Sequence, residues 1–509
     1  MKILNDVLTY RILDALTQLD ENHIVARLDD RRVTQQEVME RLSTLDELFK
    51  SVDLTNKIVS LVIACPIDYF VFDLFLIIKG AVNMTVPLEF SDEQIGNFLN
   101  SADYCIVNND NNFRRLKDIN NQVSFLSIEA TLLNPGFAIE RRANRTKNWC
   151  KVVHTSGTTS HPKGAIISRE AVNNMISKLL VAIPLNTIHY FSFQPLSLLI
   201  EQVFALYLPL VSGGSIQFKS VELPLFGLTN VSDDLYLDSI KDADSNFYFL
   251  PPKLIENLSA RATALQDEGS IAVKHFFSVT EPYFLMTGGG KVNQLATRTL
   301  AALNIPVYEG YGTSENCSVI SINTPNNHHF GSVGKPLIGT EVSILNEEII
   351  IHSDSLFEGY LHNGELIDIP TNGRFATGDI GALDKEGYLY IRGRKKNVII
   401  LSSARNICPE HVEAEYRKSK KIKEIVVFGD SMPYLTAVIY PSSNDAMAAE
   451  IKIELRATAR NLPLFCLIEK FILIKPSTSN SAHFTVTQRP RREVIFNQFK
   501  DQIARLYNN

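Results

Sequence analysis

Residues 151–169 combine hydroxyl side chains, glycines and a lysine in a pattern suited to binding phosphate. The ten residues from Thr155 to Gly164 contain five hydroxyl side chains, two glycines and Lys163. Glycines let the backbone approach a ligand closely, hydroxyl and N–H groups donate hydrogen bonds to phosphate oxygens, and the lysine adds a point charge. Apolar runs on both sides, Val152-Val153 and Ala165-Ile166-Ile167, predict a strand, a flexible loop and a second strand.

This loop is not a Walker A motif, because the order G-x-x-x-x-G-K-[ST] is absent and no helix-start pattern follows Lys163. The same residues also fit an ordinary polar hairpin loop. Composition alone therefore leaves a phosphate site and a plain surface loop both open.

The run 155–164 resembles the phosphate loop of the adenylate-forming superfamily, which contains acyl-CoA synthetases, luciferases and peptide-synthetase adenylation domains. Three further stretches resemble motifs of this family and follow in the family's order. They are Tyr311-Gly-Thr-Ser-Glu315, Thr377-Gly378-Asp379, and Gly393-Arg394-Lys395-Lys396 with Asn406-Ile407-Cys408-Pro409 and Glu413 beyond it. An ordered set that spans most of the chain is far more specific than any one of its motifs.

The resemblance implies a ligase that uses ATP and Mg²⁺ to convert a fatty or other apolar carboxylic acid into an acyl-adenylate and then transfers the acyl group to a thiol. A carboxylate does not react directly with a thiol, because its oxygen is a poor leaving group. The mixed anhydride with AMP has a stabilised phosphate as its leaving group instead. The thiol stays open between coenzyme A and the phosphopantetheine of an acyl carrier protein.

The resemblance also implies roles for the residues that contact the triphosphate and the metal. Ser314 is expected to contact the α-phosphate, and Glu315 to ligate Mg²⁺ through oxygen. Asp379 is expected to accept hydrogen bonds from the ribose hydroxyls, with Arg394 assisting at ribose or phosphate. The expected contacts of the β- and γ-phosphates are Thr155, Ser156, Gly157, Thr158, Thr159 and Lys163.

A second glycine-rich loop, Gly288-Gly289-Gly290, follows an apolar stretch and is expected by resemblance to pack against adenine. A triple glycine taken alone is more often a turn. The stretch that ends in Tyr311-Gly312 offers a flat aromatic ring and a closely approaching backbone, both of which suit a purine face. By the same resemblance, Tyr311 is the residue expected to stack on the adenine ring.

The sequence departs from the family pattern at several positions. Arg489 stands where the family has its catalytic lysine, in a segment from Phe484 to Arg492 that otherwise matches. Arginine keeps the positive charge but offers a planar fork, so the exchange alters geometry. Ser160 replaces a glycine of the phosphate loop. Leu198 replaces a histidine that lies near the acyl pocket in long-chain relatives, which makes the expected pocket more apolar.

Strand-like and helix-like segments alternate along the chain, which favours parallel α/β layers. The expected fold is α/β, with a large N-terminal domain of layered α/β subdomains plus a β-barrel-like subdomain over 1–394. A small mobile α/β domain over 395–509 follows, with its hinge near Lys396 by resemblance. Residues 197–212 are expected to form an amphipathic helix.

Charge is distributed unevenly between these two parts. The chain has a net charge of −6, whereas 394–509 holds 19 Lys+Arg against 11 Asp+Glu. A basic C-terminal part on an acidic body suggests that it meets an anion, although a solvated basic face is the commoner reason for such a surplus. Nucleic-acid binding is not expected, because no aromatic-basic interleaving accompanies the charge.

Six scattered cysteines without a C-x-x-C pair favour a reducing compartment, and the cytoplasm is the expected location. Acidic residues follow soon after the first methionine, so no signal peptide is expected. The most apolar stretch, 58–86, is broken by a proline and charged residues. It predicts a buried strand over Ile58–Ala64 and a helix from about Tyr69, with no integral membrane segment.

Two other functions remain compatible with the sequence. One is an adenylation enzyme for an aryl or amino acid, and an amino acid would call for an acidic residue placed for its amine. The other is a catalytically weakened, nucleotide-binding homologue, because the lysine position holds Arg489.

Overall fold

The computed structural model describes most of the chain. The described residues are 6–86, 92–108, 110–120, 123–127, 148–154, 163–224, 226, 232–267, 276–277, 283–290, 292–362, 365–367, 370, 372–403, 405–443, 447–459, 462–474, 482–485 and 489–507. The predicted phosphate-loop residues Thr155, Ser156, Gly157, Thr158, Thr159 and Ser160 lie outside this set.

The helices are distributed along the whole chain. Their bounds are α1 Val7–Gln18, α2 Gln35–Leu48, α3 Pro66–Lys79, α4 Asp92–Leu99, α5 Asp110–Ile119, α6 Arg169–Ala182, α7 Leu199–Glu201, α8 Leu208–Val211, α9 Asp233–Lys241, α10 Pro252–Asp267, α11 Gln294–Ala302, α12 Pro409–Tyr416, α13 Ala448–Thr458 and α14 Arg492–Tyr507.

The strands fall into two large sheets and several small ones. Their bounds are β1 Ile24–Leu28, β2 Arg31–Thr34, β3 Ile58–Val62, β4 Val82–Thr85, β5 Tyr104–Val107, β6 Ser124–Ser127, β7 Trp149–His154, β8 Gly164–Ser168, β9 His189–Ser192, β10 Ser215–Phe218, β11 Phe247–Leu250, β12 Phe284–Gly288, β13 Tyr308–Tyr311, β14 Ser321–Ile322, β15 Lys335–Pro336, β16 Thr340–Leu345, β17 Glu348–Ser353, β18 Gly359–His362, β19 Glu365–Ile367, β20 Arg374–Leu383, β21 Leu389–Arg394, β22 Ile399–Ile400, β23 Asn406–Ile407, β24 Ile422–Phe428, β25 Thr436–Pro441 and β26 Lys470–Leu473.

Two mixed sheets form the body of the large domain. One has the order β15-β14-β13-β12-β11-β9-β10-β1-β2, and the other has the order β19-β18-β8-β7-β4-β3-β5-β6. Strands such as β3, β8 and β12 are buried along their whole length, as expected of strands covered on both faces. α3 and α6 contribute to a core that includes residues of both sheets. The predicted α/β layering is thereby confirmed.

The helical segment after β9 is not the predicted amphipathic helix. A short helix, α7, passes into a π-helix over Gln202–Tyr207 and then into α8. Every residue of the π-helix is buried, so the segment has no solvent-facing side. Pro209 in α8 accounts for the wide turn, because a proline lacks an N–H and its ring clashes with the carbonyl one α-turn earlier.

A buried ion pair links α3, in the core of the large domain, to β7. Asp73 and Lys151 form a direct contact between oxygen Oδ1 and Nζ, and both side chains are at most 1% exposed. Asn83 Nδ2 donates to the same carboxylate at 2.5 Å, and Tyr207 OH donates to its other oxygen at 2.5 Å. Because several elements supply these partners, the carboxylate fixes their relative positions.

The section over 340–394 contains a four-stranded sheet of order β16-β17-β20-β21, in which neighbouring strands are antiparallel. β18 leaves this section and pairs with β8 of the large sheet instead. The smaller C-terminal part contains the sheet β24-β25-β26 with α12, α13 and α14. The α/β fold with a large N-terminal and a small C-terminal domain is confirmed, whereas the boundary between 394 and 395 stays a prediction.

Two predicted bounds of secondary structure shift. β3 ends at Val62 and not at Ala64. The helix after β3 begins at Pro66 and not at Tyr69, because proline fits the first helical position. None of the described helices combines the length and the apolar character needed to cross a membrane.

The Lys151→Met substitution should lower the free energy of unfolding by about 3–5 kcal/mol, because it leaves the Asp73 carboxylate buried without its cation. The double variant Asp73→Asn/Lys151→Met should recover part of this loss, since no unpaired charge remains. Urea unfolding followed by circular dichroism measures both. A double variant no more stable than Lys151→Met would contradict this explanation.

Candidate active site

The Asp379 carboxylate is the most densely contacted charge among the predicted site residues. Asp379 in β20 lies opposite Arg394 in β21, and Arg394 Nε contacts its Oδ1 at 2.6 Å. Tyr311 OH donates to its Oδ2 at 2.5 Å. The Asp379 side chain is only 4% exposed, whereas that of Arg394 is 41% exposed. The sheet pairing therefore places a buried anion beneath a cation that solvent reaches.

Burial raises the pKa of Asp379, and the nearby charge of Glu315 acts in the same direction. Arg394, the Tyr311 hydroxyl and Arg489 oppose that rise. Burial and the neighbouring Asp379 charge also raise the pKa of Tyr311 well above its ordinary value. Tyr311 is therefore a neutral hydrogen-bond donor to this carboxylate at physiological pH.

Arg489 of the C-terminal part approaches the second glycine-rich loop. A Cβ atom on Gly289 would lie 3.5 Å from a terminal nitrogen of the Arg489 guanidinium, and Gly289 itself has φ +78°. Two hydrogen bonds join Thr485 and Arg489, from Thr485 N to Arg489 O at 2.8 Å and from Arg489 N to Thr485 Oγ1 at 3.0 Å. They hold the backbone of Arg489, whose side chain extends to the large domain.

Glu315 lies on a single turn of 3-10 helix, Ser314–Asn316. Its backbone carbonyl accepts a hydrogen bond from Phe357 N at 2.8 Å, and Tyr360 OH donates to its Oε1 at 2.5 Å. The chain folds back tightly here, and a Cβ atom on Gly312 would therefore lie only 1.6 Å from Ser318 O. Only glycine leaves room for that carbonyl.

Lys163 follows the undescribed part of the phosphate loop and begins the approach to β8. Its Nζ lies 5.1 Å from the ring centroid of Tyr360, within reach of a cation–π interaction. His154, at the other end of the loop, is half-buried, and burial lowers its pKa to about 3. The imidazole is therefore neutral at physiological pH, and Lys163 contributes the positive charge on this side.

An open cavity of about 320 Å³ lies beside the Asp379–Arg394 pair and is lined by Gly378, Arg394, Lys395 and Lys396. Lys395 Nζ contacts Glu348 Oε2 at 2.6 Å. Burial, followed by the neighbouring Arg394, lowers the pKa of Lys396, whereas Glu493 and Asp379 oppose this. The cationic lining suits an anionic ligand.

The described residues contain no group of three or more His, Cys, Asp or Glu side chains arranged to hold a metal ion. Mg²⁺ is commonly bound through one or two carboxylates together with the phosphates of a substrate. Glu315, with one oxygen hydrogen-bonded to Tyr360, fits this second kind of site.

The structure thus brings together residues that are distant in the sequence. Tyr311, Asp379, Arg394 and Arg489 form one group beside the Gly288-Gly289-Gly290 loop, and Lys163 and Glu315 share Tyr360. Ser314 belongs to the same turn as Glu315. The individual ligand roles of these residues stay predictions.

Leu198 is the predicted residue of the acyl pocket and is not one of the charged site residues. It precedes α7 and is half-buried, and its place in an acyl pocket stays a prediction. Tyr360 was not among the site residues predicted from the sequence. Only the pairing of β18 with β8 reveals its position.

Residues 15–361 match the family model described as AMP-binding enzyme, and residues 396–509 match the AMP-binding enzyme C-terminal domain. A similar curated relative is the long-chain-fatty-acid–CoA ligase FadD15 of Mycobacterium bovis, with 28% identity over 44% of this chain and 42% of the relative. Another is the 2-succinylbenzoate–CoA ligase of Listeria monocytogenes, with 30% identity over 55% of this chain and 56% of the relative. The matched regions thus span about half the length of these curated relatives.

A solved structure of similar fold is the O-succinylbenzoate coenzyme A synthetase from Bacillus subtilis in complex with ATP and magnesium ion. It aligns with a TM-score of 0.74 over 95% of this chain and 98% of that chain, at 18% identity. At this identity the match supports the fold.

The Gly312→Ala substitution should lower the free energy of unfolding by about 1–3 kcal/mol, because a methyl group has no room beside Ser318 O. Gly290→Ala is the matched control, since its Cβ would meet only the Pro252 side chain at 3.6 Å. Thermal unfolding compares the two variants. Equal melting temperatures would show that the turn before Glu315 relaxes without cost.

Proposed function

Because this chain belongs to the AMP-binding enzyme family, we propose that it is an acid–thiol ligase that forms AMP. It activates a fatty or other apolar carboxylic acid with ATP and Mg²⁺ and transfers the acyl group to a thiol, for which coenzyme A is the first candidate. The observation that carries the proposal is the convergence of Tyr311, Arg394 and Arg489 on the buried carboxylate of Asp379. The relatives named as CoA ligases support the same reaction class.

In the first step, a substrate carboxylate oxygen attacks the α-phosphorus of ATP and the bond to the pyrophosphate oxygen breaks. Positive charge must then face the substrate carboxylate and the phosphates. Arg489 supplies it from the C-terminal domain and Lys163 from the large domain. Mg²⁺ held by Glu315 would neutralise phosphate charge.

Asp379 anchors the nucleoside end of ATP. A carboxylate has about four lone-pair sites, so it can accept ribose hydroxyls while Tyr311 and Arg394 keep their contacts. Anchoring one end of the nucleotide lowers the cost of aligning the α-phosphorus with the attacking oxygen. Ser314 contacts the α-phosphate in this arrangement, and the Gly288-Gly289-Gly290 loop with Tyr311 and Gly312 borders adenine.

In the second step, a thiol attacks the acyl carbon and AMP leaves with the former carboxylate oxygen. The small domain, 395–509, changes its pose about Lys396 between the steps. The junction is a polar 3-10 turn, Lys395–Asn397, without a buried residue. Such a junction can change its backbone angles without opening either core.

An apolar acid is supported by the surroundings of Leu198. The π-helix that follows it contributes only buried side chains. Glu201, the acidic residue nearest to Leu198 in sequence, is fully buried and accepts hydrogen bonds from Tyr190 OH at 2.8 Å and Ser192 Oγ at 2.7 Å. It is therefore not presented to the amine of an amino acid.

An aryl acid is the second candidate substrate, because one of the similar relatives is a 2-succinylbenzoate–CoA ligase.

An acyl carrier protein remains a candidate acceptor beside coenzyme A, and the basic surplus of 394–509 supports an anionic partner. A cytoplasmic location belongs to the same proposal. It is supported by the six cysteines, which are scattered along the sequence without a C-x-x-C pair.

Pyrophosphate release from ATP and Mg²⁺ tests the proposed function. Straight-chain acids from hexanoate to stearate should stimulate release, whereas aryl and amino acids should do so less. Asp379→Ala should lower the rate by roughly 10²–10³-fold without unfolding, because one polar contact of a preorganised site is lost. A protein that binds ATP but releases no pyrophosphate with any acid would instead be the nucleotide-binding homologue.

Substitution of Arg489 tests its role in the first step. Arg489→Ala should lower adenylate formation by about 10²-fold or more, because the positive charge beside the α-phosphate is lost. Thioester formation from a supplied acyl-adenylate should be spared, since that step uses the other pose of the domain. Single-turnover assays separate the two steps.

Arg491→Ala is the matched control, because it removes an arginine two residues away. A silent Arg489→Ala variant, or an Arg489→Lys variant faster than the natural protein, would show that the arginine is not a working replacement for lysine.

A further inference from the structure

Tyr360 contacts two site residues of opposite charge. Its hydroxyl donates to Glu315 Oε1 at 2.5 Å, and its ring face lies 5.1 Å from Lys163 Nζ. The two charged residues come from different parts of the chain. Lys163 precedes β8, whereas Glu315 lies on the turn after β13.

The backbone just before Tyr360 is hydrogen-bonded to the same two parts of the chain. Phe357 N donates to Glu315 O at 2.8 Å, and Glu358 N donates to Ile166 O at 2.8 Å. Tyr360 itself pairs with Ala165 in the antiparallel register of β18 and β8. The ring also packs edge-on against Phe357, with 4.8 Å between centroids.

These contacts fix the direction of the Tyr360 side chain before any ligand arrives. A hydrogen bond to one oxygen of a ligating carboxylate orients the group and leaves its other oxygen to the metal. Mg²⁺ requires near-ideal octahedral geometry, so the orientation of a single protein carboxylate matters for its affinity. The aromatic face meanwhile holds the lysine cation near the same point.

We propose that Tyr360 is a positioning residue that sets Glu315 for Mg²⁺ and Lys163 for the triphosphate, so that the metal and the nucleotide bind as one unit. The proposal rests on the proposed function, since both groups belong to the nucleotide site. Tyr360 acts through Glu315 and Lys163 and does not itself touch the reacting atoms.

Two substitutions separate the two contacts. Tyr360→Phe removes the hydroxyl and keeps the ring, so it should affect Glu315 and leave Lys163 in place. Tyr360→Leu removes both the hydroxyl and the ring face. Tyr390→Phe is the matched control, because Tyr390 also donates to a carboxylate, Asp384, at 3.2 Å, on the sheet that contains β20 and β21.

The readout is equilibrium binding of a non-hydrolysable ATP analogue by calorimetry, with Mg²⁺ and again with EDTA. Tyr360→Phe should weaken binding about tenfold with Mg²⁺, because partners of a metal ligand typically contribute 10–100-fold to metal affinity. With EDTA its affinity should stay within about twofold of the natural protein. Tyr360→Leu should weaken binding under both conditions, and Tyr390→Phe under neither.

Equal weakening of Tyr360→Phe with Mg²⁺ and with EDTA would indicate a merely structural role and overturn the proposal. Unchanged binding under both conditions would also overturn it. If Tyr360→Leu does not fold, the comparison of Tyr360→Phe with Tyr390→Phe still tests whether the Tyr360 hydroxyl positions Glu315 for Mg²⁺. A natural protein that binds no analogue would overturn the proposed function together with this inference, whereas normal pyrophosphate release with a silent Tyr360→Phe would overturn this inference alone.

Discussion

The buried carboxylate of Asp379 is the interaction on which the arrangement of the site depends. Burying an ionised group is costly unless charged or hydrogen-bonding partners surround it. Asp379 contacts Arg394 Nε at 2.6 Å and accepts a hydrogen bond from the Tyr311 hydroxyl at 2.5 Å. The positive charge of Arg489 also favours the ionised form of Asp379 and so lowers its pKa. These partners come from three separate stretches, so the carboxylate joins β20 and β21 of the four-stranded sheet to β13 and to the C-terminal part.

The opposing effects on Asp379 explain why positive charge gathers around it. Burial and Glu315 disfavour the ionised form, whereas Arg394, Tyr311 and Arg489 favour it. Arg394 also lines the neighbouring cavity, together with Gly378, Lys395 and Lys396. A site that binds a polyanionic nucleotide can thus use residues that already stabilise an internal anion, with little rearrangement when the ligand arrives.

A second buried anion, Asp73, lies in the core of the large domain, and its hydrogen-bond partners among the described residues include none of the predicted site residues. Its partners Lys151, Asn83 and Tyr207 are all buried, and they join a helix, two strands and the π-helix. A buried ion pair contributes little net stability compared with apolar packing, but it strongly penalises arrangements that separate its members. The π-helix, which follows Leu198 and α7 in the chain, is therefore held in one position.

The sequence by itself determined the residue types and their order. The ordered motifs indicated the family that the match over 15–361 and 396–509 confirms, and alternation of strands and helices indicated the α/β layers. Such signals are local, because chemistry on phosphate requires particular side chains and because strand and helix periodicities extend over few residues. Only the tertiary structure decided that β18 pairs with β8 of the large sheet and not with the four-stranded sheet, so that Tyr360 lies between Lys163 and Glu315. It also decided that Arg489 lies close to Gly289. These contacts depend on strand pairing and domain packing between distant stretches, whose free energy belongs to the assembled fold and is not encoded in any short segment.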